Sequence, residues 1–270
     1  MYKAMKKEKK VSLKGRRESP LYNGGFIWKV NGKLLDYDSP ETGIAYRYAQ
    51  FNVRAVTDCP FRSAVCTAVC YATKGNHVFP SVKASRERSY MESKRDDFTE
   101  SAVFTLRTEK ESGRYKNAVM LVRIHESGDF YSVQYLRKWL WVWAGFQPAD
   151  GVRFVFYTKS FPFFLMLTAE EKAVLNSLLE SGVVAMNLSV DDTTTPEQWK
   201  AYVEMRKAFP LANTYAVTEH TTAEDDVCDC ANCAKCGACN KAQGGRKVVV
   251  IHSASNEDLK VYRANKRERA

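Results

Sequence analysis

The chain has 270 residues, of which 45% are hydrophobic and 27% are charged, a globular composition that excludes a wholly disordered protein. No stretch approaches the roughly 20 apolar residues of a membrane span, and the basic N-terminus lacks the apolar segment of an export signal. We therefore predict a cytoplasmic protein with no membrane partner. The net charge of +10 is uneven, because residues 1–17 carry +7, residues 260–270 carry +4 and the remainder carries −1.

The two basic ends allow two interpretations. They are either solvated, frayed termini or a non-specific contact with nucleic acid, whose affinity would fall steeply with salt. We divide the chain into a basic arm (residues 1–17), a single domain (18–256) and a basic tail (257–270).

The first predicted element is a hairpin. Phe26–Val30 and Lys33–Tyr37 flank Asn31-Gly32, which is a strong signal for a two-residue hairpin turn. From about residue 50, predicted strands and helices alternate. Phe51–Val56 is a plausible strand that ends just before the first cysteine, and Ser81–Lys110 has helical spacing.

The alternation continues to the end of the predicted domain. A capping-box pattern opens the helix at Thr168. The remaining predicted helices are Val133–Gly145, Thr168–Glu180 and Pro196–Phe209, and the remaining strands are Ala118–Ile124, Val152–Tyr157, Val183–Val190, Thr214–Val217 and Lys247–His252. Buried strands that alternate with amphipathic helices indicate a parallel sheet. We predict an α/β fold: a partial or irregular (β/α) barrel with mainly parallel strands, an N-terminal hairpin extension and a cysteine-rich C-terminal metal-binding insertion.

Polar groups follow the predicted strands. His125, Glu126 and Asp129 follow the second strand, and Lys159 follows the third. In α/β barrels, sites are assembled at this edge of the sheet, so these four residues are the candidate catalytic set. His125 could move a proton or bind a metal, or it could only fix a loop.

Two further strand ends allow a choice between a functional and a structural role. Lys159 could neutralise a carboxylate or phosphate, or be an exposed lysine. Asp191 and Asp192 after the fourth strand are predicted to cap the next helix.

All eight cysteines fall in two short windows. The first window holds Cys59, Cys66 and Cys70, and the second holds Cys228, Cys230, Cys233, Cys236 and Cys239. A disulfide framework is typical of small secreted domains, which this chain does not resemble. Clustered thiols in a reducing compartment are better explained as metal ligands.

The first window can wrap one metal centre. Three thiolates fit a [4Fe–4S] cluster with one iron open to a substrate or cofactor, whereas structural zinc generally takes four protein ligands. A fourth ligand could come from His77 or from the second window.

In the second window the last four cysteines each stand two residues apart. This resembles the run of cysteines in ferredoxins. Five cysteines can hold a second cluster, or a zinc with one thiol spare. The sequence thus predicts one or two [4Fe–4S] clusters, with zinc as the alternative at the second window.

Several motifs resemble the phage gene product 88 family. They include Cys59-Pro60, Cys70-Tyr71-Ala72, Phe79-Pro80-Ser81, the segment from Arg123 to Ser132, and Tyr157-Thr158-Lys159-Ser160. The Cys-Gly-Ala-Cys of the second window also fits, and the similarity covers roughly residues 50–253. This resemblance implies an origin and a fold more readily than an activity.

The layout of that family is in turn similar to radical S-adenosylmethionine (SAM) proteins. Those carry three cysteines after the first strand of a partial barrel, an aromatic residue beside the last cysteine, and a Gly-Gly-Glu-like motif after the second strand. The resemblance implies that Tyr71 and the segment Ser127, Gly128 and Asp129 bind the cofactor. The cysteine spacing differs, with six and then three intervening residues instead of three and then two.

Three functions are compatible with the sequence. The first is a redox or radical enzyme with an iron–sulfur cluster, possible SAM use, and an electron donor such as a flavodoxin or ferredoxin; its substrate could be a nucleotide or nucleic acid. The second is a non-catalytic, metal-stapled module that binds nucleic acid through its basic ends. The third is a zinc-dependent nucleic-acid-modifying enzyme, although the deaminase signature is missing.

Overall fold

A nine-stranded sheet organises the structure, a computed structural model that describes residues 25–27, 37–38, 43–112, 115–218, 226–227, 238–240, 244 and 246–250. The strands are β1 (Phe26–Ile27), β2 (Tyr37–Asp38), β3 (Ala45–Phe51), β4 (Val119–Ile124), β5 (Val152–Thr158), β6 (Val184–Asp191), β7 (Asn213–Thr218), β8 (Asp226–Val227) and β9 (Arg246–Val250). The order across the sheet is β1-β3-β4-β5-β6-β7-β9-β8, and β2 also pairs with β3.

Seven α-helices lie within the described residues. They are α1 (Ala64–Ala68), α2 (Pro80–Lys94), α3 (Phe98–Lys110), α4 (Val133–Ala144), α5 (Phe161–Leu165), α6 (Ala169–Glu180) and α7 (Pro196–Ala208). Short 3-10 turns occupy Tyr71–Thr73, Gly75–Val78, Pro148–Asp150 and Ala238–Asn240. None of these described helices is long and apolar enough to cross a membrane.

The pairing directions confirm the predicted α/β fold with a mainly parallel sheet. Strands β3, β4, β5, β6 and β7 are neighbours in chain order, and their pairings with one another are all parallel. Helices lie in the connections from β3 to β4, β4 to β5, β5 to β6 and β6 to β7, which is the pattern that parallel crossovers require. Beyond β7, the pairings β7–β9 and β8–β9 are also parallel.

The predicted N-terminal hairpin is wrong in its pairing. Both β1 and β2 run antiparallel to β3, with Phe26 opposite Phe51 and Tyr37 opposite Tyr46. In the described residues the two segments therefore extend the outer edge of β3 instead of pairing with each other. The turn Asn31-Gly32 lies outside the described residues.

Two predicted boundaries are also wrong. The first long strand is Ala45–Phe51 and not Phe51–Val56, because the apolar residues after Phe51 enter a tight turn in which Val56 has a φ of 65°. The single helix predicted over Ser81–Lys110 is two helices, since Arg95 is extended and separates α2 from α3.

One face of the sheet carries the large core. Side chains from α3 to α7 pack there in one apolar cluster with alternate residues of the strands, including Met120, Val122, Phe154 and Phe156. Trp139 and Trp143 of α4 are fully buried in this layer, and Trp143 stacks on Phe156 with ring centroids 5.1 Å apart. We call this side the helical face.

The opposite side, which we call the second face, carries the other alternate residues of the same strands. Its small apolar cluster contains Tyr48, Leu121, Val155 and Ala185, with Tyr157 packed against it. The second face also presents polar residues, among them Gln50 and Arg123, Asn187 and Asn213, which are paired in the register of neighbouring strands. The two faces thus differ sharply in chemistry.

Candidate active site at the carboxyl edge of the sheet

The loops after β3 and β4 are fastened together by Asn52. The side-chain oxygen of Asn52 accepts hydrogen bonds from the backbone N–H groups of Glu126 at 2.7 Å and Ser127 at 3.3 Å. The backbone N–H of Val53 donates to the Ser127 carbonyl, and the Ser127 hydroxyl donates to the Val53 carbonyl at 2.7 Å. The segment predicted to bind a cofactor is therefore bonded to the loop that leads to the first cysteine.

Gly128 makes that contact possible. It has a φ of +83°, and a Cβ built on it would stand 2.3 Å from the Val53 side chain. Any other residue would be strained and would push the two loops apart.

A compact turn delivers Cys59. The Asp58 carboxylate accepts hydrogen bonds from the backbone N–H of Arg54 at 2.8 Å and from its guanidinium at 2.7 Å. The Asp58 carbonyl accepts the backbone N–H of Asp129 at 2.9 Å. The Arg54 guanidinium also covers the ring of Tyr90 at 3.4 Å, so this turn is held from three sides.

Residues after β6 hold the helix that carries Cys66. The Ser63 hydroxyl caps α1 by accepting the Cys66 N–H at 3.1 Å, and it donates to the Asp191 carboxylate. The Thr193 hydroxyl accepts the backbone N–H of Val65 at 3.2 Å. The predicted capping role of Asp191 and Asp192 is wrong for the following helix, because Thr195 caps α7. Asp191 instead fixes the cysteine loop.

Lys159 and Asp129 are buried next to the cysteine loop. Lys159 is buried, and its ammonium donates to the Asp191 carboxylate at 2.8 Å and to the Ser189 carbonyl at 3.3 Å. The interpretation as an exposed lysine is therefore wrong. The Asp129 carboxylate is also buried and accepts from the Thr158 hydroxyl at 2.7 Å and from the Lys159 N–H at 2.9 Å. Both side chains are already engaged by the protein.

The three thiols of the first window lie on the loop that Asp58, Ser63 and Asp191 hold in place. Cys59, Cys66 and Cys70 are half-buried and form no disulfide. Burial raises the pKa of Cys59, and the charges of Asp129, Cys66 and Cys70 raise it further. Burial also raises the pKa of Cys66 to about 11, although the nearby Lys159 ammonium acts in the opposite direction. The thiols thus share one electrostatic environment.

A metal-binding group is not preformed in the described part of the chain, which contains no set of three His, Cys, Asp or Glu side chains arranged to hold a metal ion. His77, the suggested fourth ligand, instead lies beside Arg86, with its Nδ1 2.7 Å from the guanidinium. The fourth ligand therefore stays a prediction.

His125 lies on the helical side of this edge. It is buried against the ring of Phe130, with centroids 4.7 Å apart, and its Nε2 is 2.9 Å from the hydroxyl of Tyr135. Burial lowers its pKa to about 3, so the imidazole is neutral. Its φ of 63° turns the chain out of β4. These contacts favour the loop-fixing role that the sequence left open.

Glu126 and Tyr71 border the second face. The Tyr71 hydroxyl donates to the Glu126 carbonyl at 2.5 Å, and its ring meets that of His77 at 5.3 Å. The backbone of Glu126, a member of the predicted catalytic set, thus contacts the aromatic residue that follows Cys70.

The second cysteine window is described only at its last member. Cys239 lies over the second face, where its carbonyl accepts a hydrogen bond from Asn187 at 3.0 Å. Cys228, Cys230, Cys233 and Cys236 lie outside the described residues, as do His220, His252 and both basic ends.

Four residues that organise this edge had no role in the sequence-based prediction. They are Gln50, Asn52, Ser63 and Arg123. The sequence contains one indication that Arg123 is special, since it is the single charged residue in the apolar run Val119–Ile124. The importance of Asn52 had none, because it depends on amides more than seventy residues away.

Comparison with known proteins identifies the family. No curated protein and no solved structure matches the chain. The profile of the Gene product 88 family matches residues 26–242, which is well over half of the chain and includes β1 to β7 and the first cysteine window. The chain therefore belongs to the Gene product 88 family.

Proposed function

We propose that the protein is an iron–sulfur redox enzyme in which Cys59, Cys66 and Cys70 hold a [4Fe–4S] cluster at the carboxyl edge of a partial barrel. The observation that carries this proposal is the anchoring of all three thiols on one loop. That loop is tied to the ends of β4 and β6 through Asp129 and Asp191.

The donor set fits a cluster better than a single zinc. Structural zinc generally takes four protein ligands, and the first window supplies three thiols. Three half-buried free thiols on one anchored loop agree with a cluster that has one open iron.

The surrounding residues have supporting roles. Asp191 orients α1 through Ser63, and Lys159 places a positive charge near Cys66, where it would offset the charge of thiolate ligands. When bound, the cluster supplies one-electron transfer, for which a flavodoxin or ferredoxin is the proposed donor. Cys228, Cys230, Cys233, Cys236 and Cys239 are the proposed ligands of a second centre.

Strand order supports the partial-barrel component of the proposal. Parallel strands from β3 to β7 follow chain order without reversal, and their helices pack on one face. A doubly wound sheet would reverse its order and carry helices on both faces. SAM binding is the least supported component, because the polar groups of Ser127 and Asp129 are engaged by Val53, Thr158 and Lys159.

The test is anaerobic purification of the full-length protein, followed by iron, sulfide and zinc analysis and an absorption spectrum. The wild type is expected to be brown, with about four irons for each occupied window. The triple variant Cys59→Ser, Cys66→Ser, Cys70→Ser should lose about four irons, whereas replacing all five C-terminal cysteines should leave the first four in place.

Two results would overturn the proposal. One is a colourless wild type that contains zinc and no iron, which would favour the metal-stapled nucleic-acid module. The other is a triple variant that keeps its full iron content. Addition of SAM to the reduced protein, monitored by electron paramagnetic resonance, then tests the cofactor separately.

A further inference from the structure

Two buried hydrogen-bond donors on the second face lack partners. The side-chain nitrogen of Gln50 and the Nε of Arg123 make no hydrogen bond within the described part of the chain. Gln50 is only 3% exposed. A buried donor without an acceptor costs about 1–3 kcal/mol, more when it is charged, so such groups usually mark a place where something else supplies the acceptor.

The two donors are neighbours. Gln50 and Arg123 are register partners on the parallel strands β3 and β4, so their backbones are about 4.8 Å apart and their side chains leave the sheet on the same side. One small ligand can therefore contact both.

The orientation of the Gln50 amide follows from the network around it. The Asn52 oxygen is committed to the backbone N–H groups of Glu126 and Ser127. The Asn52 side-chain nitrogen must therefore face Gln50, and it donates a hydrogen bond to the Gln50 side-chain oxygen at 3.3 Å. The Gln50 nitrogen is therefore the end of the amide that lacks an acceptor.

The charge of Arg123 is not neutralised by an ion pair in the described residues. Its guanidinium lies 5.4 Å from the centre of the Tyr157 ring, and Tyr71, Tyr215 and Glu126 are the other ionisable groups that influence it. Arginine stays charged throughout the accessible pH range and matches oxyanions with two parallel donors.

Two donors on the helical face also lack a hydrogen-bond acceptor, but their surroundings do not call for a ligand. The indole N–H groups of Trp139 and Trp143 also lack an acceptor, but they are neutral and lie within a layer of aromatic rings. Weak contacts with ring faces can satisfy such groups. The contact of the Arg123 guanidinium with the Tyr157 ring supplies no acceptor for the Gln50 amide nitrogen beside it.

We propose that Gln50 and Arg123 form a binding subsite for an oxyanion, a carboxylate or phosphate group of the substrate, on the second face beside the cysteine loop. Tyr71, which follows Cys70, and Tyr157 border the subsite and offer flat apolar surfaces to the rest of the ligand. This inference deepens the proposed function and rests on it in taking the anion to be part of the substrate.

The test is a titration of the full-length protein with inorganic phosphate and, separately, with benzoate, at constant ionic strength maintained with chloride. Binding is followed by calorimetry and by the melting temperature. At ten times Kd, the preferred anion should raise Tm by about 3–6 °C. A response to phosphate alone, or to benzoate alone, tells which of the two oxyanions the subsite takes.

Variants separate a binding role from a structural one. Arg123→Met should weaken anion binding by at least about tenfold while leaving Tm without anion little changed, because the half-buried guanidinium makes no ion pair in the described residues. Gln50→Met should weaken binding about two- to tenfold. Arg153→Met is the matched control, since Arg153 leaves the same face at the opposite edge and bonds the Gly182 carbonyl; it should bind the anion normally.

The proposal is overturned if neither anion binds the wild type, or if Arg123→Met binds as tightly as the wild type. If Arg123→Met does not fold, the role of Arg123 is structural, and unchanged binding by Gln50→Met rejects the subsite independently. Iron content is measured on the same samples, so that loss of anion binding with the iron retained is distinguished from failure of the metal proposal.

Discussion

The two faces of the sheet are built from alternate residues of the same strands, yet they follow different rules. On the helical face, Phe154 and Phe156 pack into a continuous layer of rings and aliphatic side chains. On the second face, Gln50 and Arg123 leave buried donors without partners. One side thus maximises packing and stability, whereas the other retains polar groups at a cost in stability. With the proposed anion subsite on the second face, residue parity along each strand would separate the packed core from the binding surface.

The largest effect is expected on the helical face. Trp143→Ala should lower the free energy of unfolding by about 3–5 kcal/mol, because it leaves a cavity between Phe130 and Phe156. Urea denaturation measures the loss. Trp141→Ala on the same helix is the control: Trp141 is 38% exposed, and its replacement should cost roughly 0.5 kcal/mol or less. Equal losses for the two variants would contradict the assignment of this face as the core.

The next effect concerns the ion pair of Lys159 and Asp191 at the carboxyl edge of the sheet. Asp191→Asn should destabilise the protein by about 3 kcal/mol, because the Lys159 ammonium would remain buried without its counter-charge. Thermal or urea unfolding provides the measurement. Asp192→Asn, at an exposed neighbouring position, should change stability little. If both variants unfold like the wild type, the ion pair does not hold this edge together.

A more gradual effect should appear in the pH dependence of stability. Burial lowers the pKa of His125 to about 3 from its ordinary value of 6.5, so between these values the unfolded chain binds one proton more than the folded chain. Stability is therefore fully present above about pH 6.5 and falls as the pH drops towards 3, by at most about 1.4 kcal/mol per pH unit.

Urea midpoints measured from pH 7 to pH 4 check this slope. His125→Asn, which tolerates the positive φ of that position, should flatten it, whereas His77→Asn should flatten it less, because His77 is only half-buried. A wild-type slope that persists in His125→Asn would assign the proton uptake to other groups.

Local signals explain which parts of the fold were predictable. The apolar run that became β4 and the capping box of Thr168 and Glu171 are complete within a few residues, and the structure contains both. Alternation of strands and helices correctly indicated a parallel sheet.

The remaining features depend on distant partners. Val53 and Val56 look like strand residues, but Asn52 and Gly128 draw their segment into a turn through contacts made across more than seventy residues. Likewise, the apolar run around Arg123 showed an odd charge, but only the pairing of β3 with β4 revealed an orphaned amide beside it. The cysteines were predicted to be metal ligands from their clustering in the sequence, but the anchoring of their loop by Asp191 could not be predicted.

The hydrogen bonds that join the cysteine loop to the residues at and after the end of β6 have a consequence for the synthesis of the protein. Ser63 and Asp191 are separated by 128 positions, and Phe61 and Gln198 by 137. At about 5–20 residues per second, the first three thiols leave the ribosome several seconds before the residues that fix them. During this interval they are exposed to oxidants and to stray metals. If these thiols hold the proposed cluster, its assembly follows completion of the chain, and slow synthesis under aerobic conditions should yield protein whose thiols are already oxidised.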